Sequence, residues 1–206
     1  MHRFKTEQPD YNWYNPRLEQ AMLRVVDYWL SKPGVVGFRA DAIPYAHLGQ
    51  PGDGYQGENH PLTHELLARM RDHVDRQHPG AFVVCEANMP PEQLFAYFGT
   101  RERPECHMVY DFTLTPAMPW AFSRASSGPL VNALTRNRPP SLDADKDLLN
   151  LYAGCHDEKT LEKVSSEVRE ALWAFYCKDD PWDPECPYDP RYKLNLGYRS
   201  RTAVWL

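Results

Sequence analysis

Short apolar segments alternate with segments of helical periodicity along most of this chain, and this alternation limits the possible folds more than any other feature. Four apolar segments of strand length occupy 35–41, 81–86, 107–112 and 148–154. Helical spacing of apolar residues occurs at 17–30 and near 62–77, 91–98, 116–135 and 158–177. Short strands that alternate with helices are typical of right-handed βαβ units. The sequence therefore predicts an α/β fold with a parallel sheet.

The first predicted helix has its own start and stop signals. Asn15 is placed to cap the helix, because its side chain can accept a hydrogen bond from a free backbone N–H group. Pro16 suits the first helical position, where no N–H donor is needed. The segment "SKPG" at 31–34 then ends the helix, and the Gly- and Pro-rich stretch 42–61 predicts a long loop after the first strand.

Each of the four predicted strands ends in or precedes an acidic residue. These residues are Asp41, Glu86, Asp111 and Asp157, the last of them just beyond its strand. In parallel α/β folds, ligands bind beyond the carboxyl ends of the strands, where loops converge. The pattern therefore favours a functional site built from these carboxylates. The alternative interpretation is that each acid only caps the helix that follows it.

Two charged side chains at the end of the first strand point in the same direction. Residues two apart on a strand share a face, so Arg39 and Asp41 lie together. An arginine beside a carboxylate keeps it ionised, as a nucleophile requires, although a purely structural ion pair would have the same sequence. Glu86 follows the apolar segment "FVVC", whose desolvation would raise the pKa of Glu86 as a general acid requires. Two carboxyl groups with opposite pKa requirements suit glycoside cleavage.

Charge and cysteine content exclude several classes of partner. The chain of 206 residues has a net charge of −5 and no stripe of Lys and Arg, so we expect neither nucleic acid nor a membrane surface as a partner. No apolar run reaches the roughly 18 residues of a membrane span, and the first residues lack a signal-peptide core, which predicts a cytoplasmic location. We expect reduced thiols and no zinc site, because the cysteines are odd in number and are not spaced as a metal or redox pair. They are Cys85, Cys106, Cys155, Cys177 and Cys186.

Four short motifs, taken in order, carry a resemblance to a known family. The motifs "QPDYN" at 8–12, "GFRADA" at 37–42, "CEAN" at 85–88 and "CHDE" at 155–158 resemble signature segments of glycoside hydrolase family 13, the α-amylase family. Longer segments resemble its trehalose synthase branch: "QPDYNWYNPRLEQAM", "GENHPLTHELLARMR", "ECHM", "HDEKTLEKV" and "NLGYRSR". The segment "MVYDFTL" is similar instead to sucrose phosphorylases and other glucosyl-transferring members.

The resemblance implies roles for five residues. Asp41 would be the nucleophile that forms a covalent β-glucosyl intermediate, and Glu86 would be the general acid and base. Asp157 would bind sugar hydroxyls and stabilise the transition state, while Arg39 and His156 would support the charge and the sugar. The stereochemical outcome would be retention. We expect no cofactor; family members often bind calcium, but calcium ligands are not identifiable in this sequence.

The resemblance also implies a (β/α)8 TIM barrel of which this chain supplies a part. A complete barrel takes about 250 residues, and the four predicted strands resemble barrel strands four to seven. We therefore expect residues 1–206 to be a single partial catalytic barrel domain, without the N-terminal and C-terminal parts of the barrel. Exposed barrel edges carry unpaired backbone groups, so we expect self-association through them.

Three functions are compatible with these residues. The first is a retaining α-glucosyl-transferring enzyme that acts on a small α-linked oligosaccharide such as maltose or sucrose, most like a trehalose synthase that converts maltose to trehalose. The second is hydrolysis or phosphorolysis of sucrose or of another small α-glucoside. The third is a non-catalytic, truncated family member that serves as a binding module.

Overall fold

The structure is a computed structural model that describes residues 2, 6–49, 54, 57–136, 148–151, 161 and 164–176. These residues form two compact units. The described residues up to 88, together with 92–110 and 148–150, belong to the first unit. Those at 89–91, 111–136 and from 151 onward belong to the second unit. The expectation that residues 1–206 form one partial barrel domain stays a prediction.

The first unit contains the sheet that the sequence predicts, apart from the strand-end residues Asp111 and Leu151. Its strands are β1 (Gly37–Ala40), β2 (Phe82–Cys85), β3 (Met108–Asp111) and β4 (Leu148–Leu151), in the spatial order β1-β2-β3-β4. β1 and β2 pair in parallel over their whole length, and β2 pairs in parallel with β3. The predicted parallel α/β arrangement is therefore confirmed. Parallel pairing also brings the carboxyl ends of β1, β2 and β3 to the same edge of the sheet.

Helix α1 (Pro16–Leu30) begins as its sequence predicts. The Asn15 side chain accepts a hydrogen bond from the N–H of Arg17 at 3.0 Å, and Pro16 is the first helical residue. The helix ends at Ser31, whose N–H donates to the carbonyl of Asp27. Local cap chemistry determines both ends, so the prediction of this helix is confirmed.

Helix α2 (Pro61–Gln77) lies between β1 and β2 in the chain and packs through Thr63, Leu66, Leu67 and Val74. Its N-cap residue is His60, whose ring Nδ1 accepts from the N–H of Leu62 at 3.1 Å. Within the stretch 42–61, which the sequence predicts as a loop, residues Ile43–Tyr45 form a short 3-10 helix. Among the described residues of this stretch, the loop prediction is correct apart from this single turn and Pro61, which is the first residue of α2.

Ion pairs join α1 to α2 on the surface of the first unit. The guanidinium of Arg69 donates twice to the carboxylate of Glu19, at 2.8 Å each. The rings of His73 and His78 both approach Asp27, at 2.7 and 2.8 Å. Hydrogen bonds from His73 and then from His78 lower the pKa of Asp27.

Between β2 and β3 the chain forms helix α3 (Pro91–Leu94) followed by a 3-10 helix at Phe95–Phe98, which confirms the helical segment predicted near 91–98. The residues that are fully or almost fully buried in the first unit include Leu67, Val74, Val83, Cys85, Leu94, Tyr97 and Val109. They come from α2, β2, the 91–98 segment and β3. The core therefore lies between the sheet and the helices that follow β1 and β2.

The second unit contains three helices in its described part: α4 (Leu114–Ser123), α5 (Gly128–Arg136) and α6 (Ser166–Tyr176). The single helix predicted near 116–135 is wrong. The chain breaks at 124–127, where Ala125 adopts a left-handed backbone with φ of 47° and the Ser126 hydroxyl accepts from the N–H of Gly128 at 3.2 Å. Such local side-chain to backbone bonds compete with helix continuation.

The helix predicted at 158–177 begins later than expected, at Ser166. The guanidinium of Arg169 donates to the carbonyl of Leu161 at 2.8 Å and to that of Val164 at 3.4 Å. Leu161 packs with Val168 and Leu172, and Trp120 from α4 packs against this cluster. The hydroxyl of Ser165 accepts from the N–H of Val168 at 3.3 Å, so a local side-chain bond marks the start of α6.

One cysteine prediction is wrong. Cys85 and Cys106 form a disulfide bond, whereas the sequence predicts reduced thiols. The error arose because a separation of 21 residues matches no short metal or redox motif, although β2 and the segment before β3 bring the two residues together. Cys155, Cys177 and Cys186 lie outside the described residues.

Two apolar side chains at the starts of β1 and β2 are exposed. The exposed fraction is 63% for Val36 and 37% for Phe82. They are compatible with the expected self-association, which stays a prediction. None of the described helices is long and apolar enough to cross a membrane.

Candidate active site

The candidate site lies where β1 and β2 end, because their parallel pairing places Arg39 opposite Val84 and Ala40 opposite Cys85. Gly37 makes this close pairing possible. A Cβ atom at Gly37 would lie only 2.4 Å from the carbonyl oxygen of Phe82, so any larger residue would push the strands apart. Gly37 in the "GFRADA" motif therefore allows the close strand pairing that positions Arg39 and Asp41.

Arg39 bridges two carboxylates. Its Nη1 donates to Oδ1 of Asp41, and its Nη2 donates to Oε2 of Glu86. The prediction that Arg39 and Asp41 lie side by side is confirmed. No local sequence pattern predicts that the same guanidinium also binds Glu86, which is 47 residues away in the chain.

The two carboxylates differ strongly in exposure. The side chain of Asp41 is 71% exposed, whereas that of Glu86 is 9% exposed and that of Arg39 is 38% exposed. Asp41 is therefore open to a ligand, whereas Glu86 lies in a mostly desolvated position. This is the asymmetry that the apolar "FVVC" segment before Glu86 led us to expect.

The pKa of Glu86 is raised above that of an ordinary glutamate. Burial is the main cause, and a hydrogen bond with Asp41 adds to it, while the N–H of Ala42 and the charge of Arg39 oppose it. Arg39 itself loses solvation on burial, but the two carboxylates outweigh this effect and raise the pKa of Arg39. The guanidinium therefore stays charged while Glu86 holds its proton more tightly than usual.

The backbone fixes the position of Glu86 on the side of β1. The N–H of Glu86 donates to the carbonyl of Ala40 at 3.0 Å, and the N–H of Ile43 donates to the carbonyl of Glu86 at 3.3 Å. The N–H of Ala42 donates to Oε2 of Glu86 at 3.2 Å. Ala42 can do so because its backbone is left-handed, with φ of 46°, an arrangement that costs an alanine about 1 kcal/mol.

Tyr110 on β3 also belongs to this group, and the sequence analysis missed it. The Cζ atom of Arg39 lies 5.7 Å from the centroid of the Tyr110 ring, within the range of a cation–π contact. The available signal was strand alternation, which places Tyr110 on the opposite face of β3 from buried Val109. Only the order of the strands shows that Arg39 reaches this ring.

A second polar cluster forms at the end of the loop that follows β1. Oδ1 of Asn59 accepts from the hydroxyl of Tyr97 at 2.9 Å and lies 3.2 Å from Nε2 of His64. Nδ1 of His64 lies 2.7 Å from the buried carboxylate of Glu105. Burial raises the pKa of Tyr97. The cluster joins the end of the long loop, α2 and the segment before β3.

The remaining predicted site residues have different outcomes. Asp157 and His156 lie outside the described residues, so their roles stay predictions. Asp111 accepts hydrogen bonds at Oδ1 from the N–H and the hydroxyl of Thr113, at 3.0 and 2.5 Å. Asp111 therefore stabilises the turn before α4, which is a local structural role, but it does not cap that helix as the alternative interpretation predicted, because the N-cap residue is Thr113.

Comparison with known proteins decides the family. The model of the α-amylase catalytic domain matches residues 1–170 of the chain. The chain belongs to the α-amylase family. The motifs that carried the resemblance therefore identified the family correctly, and the α-amylase domain gives the context in which Arg39, Asp41 and Glu86 meet.

Relatives in the family share sequence over the full chain. A trehalose synthase/amylase from Mycolicibacterium smegmatis is 39% identical over 207 residues, which cover 100% of this chain and 32% of that protein. A trehalose synthase from Pimelobacter sp. is 37% identical, with coverage of 100% of this chain and 34% of the relative. The chain thus spans about a third of the length of these relatives.

Solved structures confirm the type of fold. A family GH13_31 enzyme superimposes with a TM-score of 0.57 at 22% identity, covering 85% of this chain and 35% of the other. The trehalose-6-phosphate hydrolase of Bacillus licheniformis gives a TM-score of 0.52 at 20% identity, covering 75% and 29%. At these identities the likeness concerns the fold alone, and it places the parallel sheet within an α-amylase-type TIM barrel.

Among the residues that the structure describes, no three or more His, Cys, Asp or Glu side chains are grouped so that they could hold a metal ion. The acids at the candidate site have other partners, since Arg39 occupies the space between Asp41 and Glu86. We therefore assign none of these residues to a metal.

Proposed function

We propose that this chain carries the nucleophile and the general acid of a retaining α-glucosyl-transferring enzyme. The observation that supports the proposal is the bridge from Arg39 to an exposed Asp41 and a buried Glu86. Retaining glycosidases require one carboxylate that attacks and one carboxylic acid that donates a proton. The two acids at this site differ in exposure as these roles require, because the attacking carboxylate is exposed and the proton donor is buried.

Asp41 is the nucleophile in this proposal. Arg39 binds its Oδ1, so we assign the attack on the anomeric carbon to Oδ2. In the first step the new bond from Oδ2 to the anomeric carbon forms while the glycosidic bond breaks, which yields a β-glucosyl ester. The exposure of the Asp41 side chain supports this role, because the sugar must reach the carboxylate.

Glu86 is the general acid and then the general base. Its raised pKa favours the protonated acid more than in an ordinary glutamate, and the departing glycosidic oxygen takes this proton as the bond breaks. The resulting carboxylate then removes a proton from the acceptor hydroxyl, whose oxygen attacks the ester carbon and releases Asp41. Two inversions at the same carbon give overall retention.

Small α-linked glucosides are the proposed substrates, and conversion of maltose to trehalose is the specific reaction. Relatives named trehalose synthase support this choice. In the proposal, Asp157 and His156 bind the sugar, as the family motif "CHDE" implies. The expected cytoplasmic location and the absence of a cofactor remain parts of the same proposal.

The test uses the natural protein that contains this chain and follows maltose by chromatography. We expect trehalose as a product, with Asp41→Asn and Glu86→Gln each reducing the rate by roughly 10²- to 10⁴-fold. A fluorinated glucosyl donor should leave a glucosyl adduct on the peptide that contains Asp41, detected by mass spectrometry. Equal rates of trehalose formation for the wild type and Asp41→Asn would refute the proposal, and binding of maltose without any product would favour a binding module.

Hydrolysis is a second candidate, because the Mycolicibacterium smegmatis relative is named an amylase as well as a trehalose synthase. In that reaction water replaces the sugar acceptor in the second step. The same experiment separates the two reactions, since hydrolysis releases two glucose molecules from maltose and transfer releases none.

A further inference from the structure

The disulfide between Cys85 and Cys106 lies next to the proposed general acid in the chain. Cys85 is the last residue of β2 and directly precedes Glu86. Both cysteines are buried, with exposed fractions of 0% and 3%, and their Cα atoms are 6.1 Å apart. Neighbouring residues on a strand point to opposite faces, so the crosslink and the Glu86 carboxyl lie on opposite sides of β2.

The disulfide holds the end of β2 on the side of β3, where the hydrogen bonds between these two strands end. Towards β1, Glu86 is held by backbone hydrogen bonds to Ala40 and Ile43. Towards β3, the pairing of β2 stops at Cys85 opposite Val109. The disulfide is therefore a covalent tie on the β3 side, one residue from Glu86.

The other end of the tie is firmly anchored. The N–H of Cys106 donates to the carbonyl of Tyr97 at 2.9 Å, and the N–H of His107 donates to the carbonyl of Val83 at 2.9 Å. The carboxylate of the preceding residue, Glu105, is buried and lies 2.7 Å from Nδ1 of His64 on α2. Movement of the β2 end towards the helices would therefore have to displace this whole segment.

We propose that the Cys85–Cys106 disulfide is a positioning element for Glu86, which keeps its carboxyl buried against Arg39 and the N–H of Ala42. The proposal rests on the proposed function only for its catalytic consequence. Without the crosslink, the end of β2 gains freedom on the β3 side, and water reaches the carboxyl more often. A small displacement of a proton donor is enough to slow proton transfer.

The crosslink can be opened by a dithiol such as dithiothreitol. One reagent thiolate attacks a protein sulfur and forms a mixed disulfide, and the second reagent thiol then closes a ring and releases the protein. The protein gains two electrons and two protons and becomes a dithiol, and the reagent becomes its cyclic disulfide. Oxidised glutathione reverses the reaction by the same exchange.

The first measurement needs no enzymatic activity. Protein purified without reductant is analysed by thiol titration and peptide mass spectrometry, and the titration of Glu86 is followed by carbon-13 NMR of labelled glutamate, with Glu86→Gln for assignment. We expect the linked peptides in the untreated protein. Reduction should move the titration of Glu86 towards lower pH, and oxidised glutathione should restore it.

The second measurement uses the natural protein that contains this chain and compares kcat with KM for maltose. Reduction should lower kcat roughly 10- to 100-fold and change KM less than twofold, because the acid is displaced while the sugar site is kept. The matched control is the double variant Cys85→Ala, Cys106→Ala, which should resemble the reduced wild type and should not respond to the dithiol. Circular dichroism verifies that each form is folded.

Several results would overturn the proposal. One is the finding, by peptide mass spectrometry, that Cys85 and Cys106 are both free thiols in protein that has been exposed to oxidised glutathione. Another is an unchanged Glu86 titration after complete reduction. A reduced form that fails to fold at every temperature tested would show a global structural role in place of a local one. If Glu86 responds to reduction but no form transfers glucose, the proposed function fails while the positioning role stands.

Discussion

The ends of β2 and β3 look alike in sequence and differ in structure. Each follows an apolar strand with an acid, Glu86 or Asp111, and both side chains are buried. Glu86 accepts hydrogen bonds from Arg39 and Ala42, which come from a different strand and its following turn. Asp111 accepts them from Thr113, two residues further along its own chain. The two strand ends thus differ in the origin of the partners of their acids, which are distant in sequence for Glu86 and local for Asp111.

The largest effect should come from removing the acid at the end of β2. Glu86→Gln keeps the shape of the side chain but cannot donate a proton, so glucosyl transfer should fall roughly 10²- to 10⁴-fold with little change in Tm. Steady-state kinetics and calorimetry measure the two effects. If the rate fell only in proportion to the amount of folded protein, Glu86 would have a structural role like that of Asp111.

The second effect concerns pH. The general acid must be protonated, so kcat/KM should fall about tenfold per pH unit once pH exceeds the raised pKa of Glu86. The free energy of unfolding should also decrease as pH rises. The folded state binds this proton more tightly than the unfolded state, so its contribution is complete below the ordinary glutamate pKa and is lost as pH rises through the folded value.

Denaturant unfolding of the wild type and Glu86→Gln across this pH range tests the stability effect without any substrate. The wild type should lose stability relative to Glu86→Gln as pH rises. Parallel pH dependences for the two proteins would mean that Glu86 titrates in the folded state as it does in water.

The third effect should appear at the end of β3 and should be structural. Asp111→Ala removes the acceptor for the N–H of Thr113, so it should cost about 1 kcal/mol of unfolding free energy while the rate per folded molecule stays the same. Thr113→Val is the matched control, because it removes only the hydroxyl donor. A large loss of kcat in Asp111→Ala with unchanged Tm would assign Asp111 to the chemistry instead.

The smallest effect should come from the ring beside Arg39. Tyr110→Leu removes a cation–π contact worth about 0.5–1 kcal/mol, so kcat should fall by about two- to fivefold. Tyr110→Phe keeps the ring and should retain most of the rate. If both variants lose the same rate, the hydroxyl group is what matters and the ring does not position Arg39.

Sequence patterns succeeded where a single short-range interaction sets the structure, and failed where two local tendencies compete. The cap of α1 at Asn15 and the shared face of Arg39 and Asp41 depend on residues two apart, so they could be predicted. The predicted helix near 116–135 failed at Ala125, where a bond between neighbouring turn residues competes with a strong helical pattern. The pattern showed that the segment favours helix, but it did not show where the helix breaks.

The sequence by itself determined the alternation of strands and helices, the family, and the choice of Asp41 and Glu86 as the candidate acids. These features depend on local periodicity, caps and short motifs. Only the tertiary structure decided that Arg39 binds Glu86 as well as Asp41, that Tyr110 lies beside Arg39, and that Cys85 bonds with Cys106. The physical reason is distance along the chain, because contacts between residues 21 to 71 positions apart depend on strand order and register, which no local pattern contains.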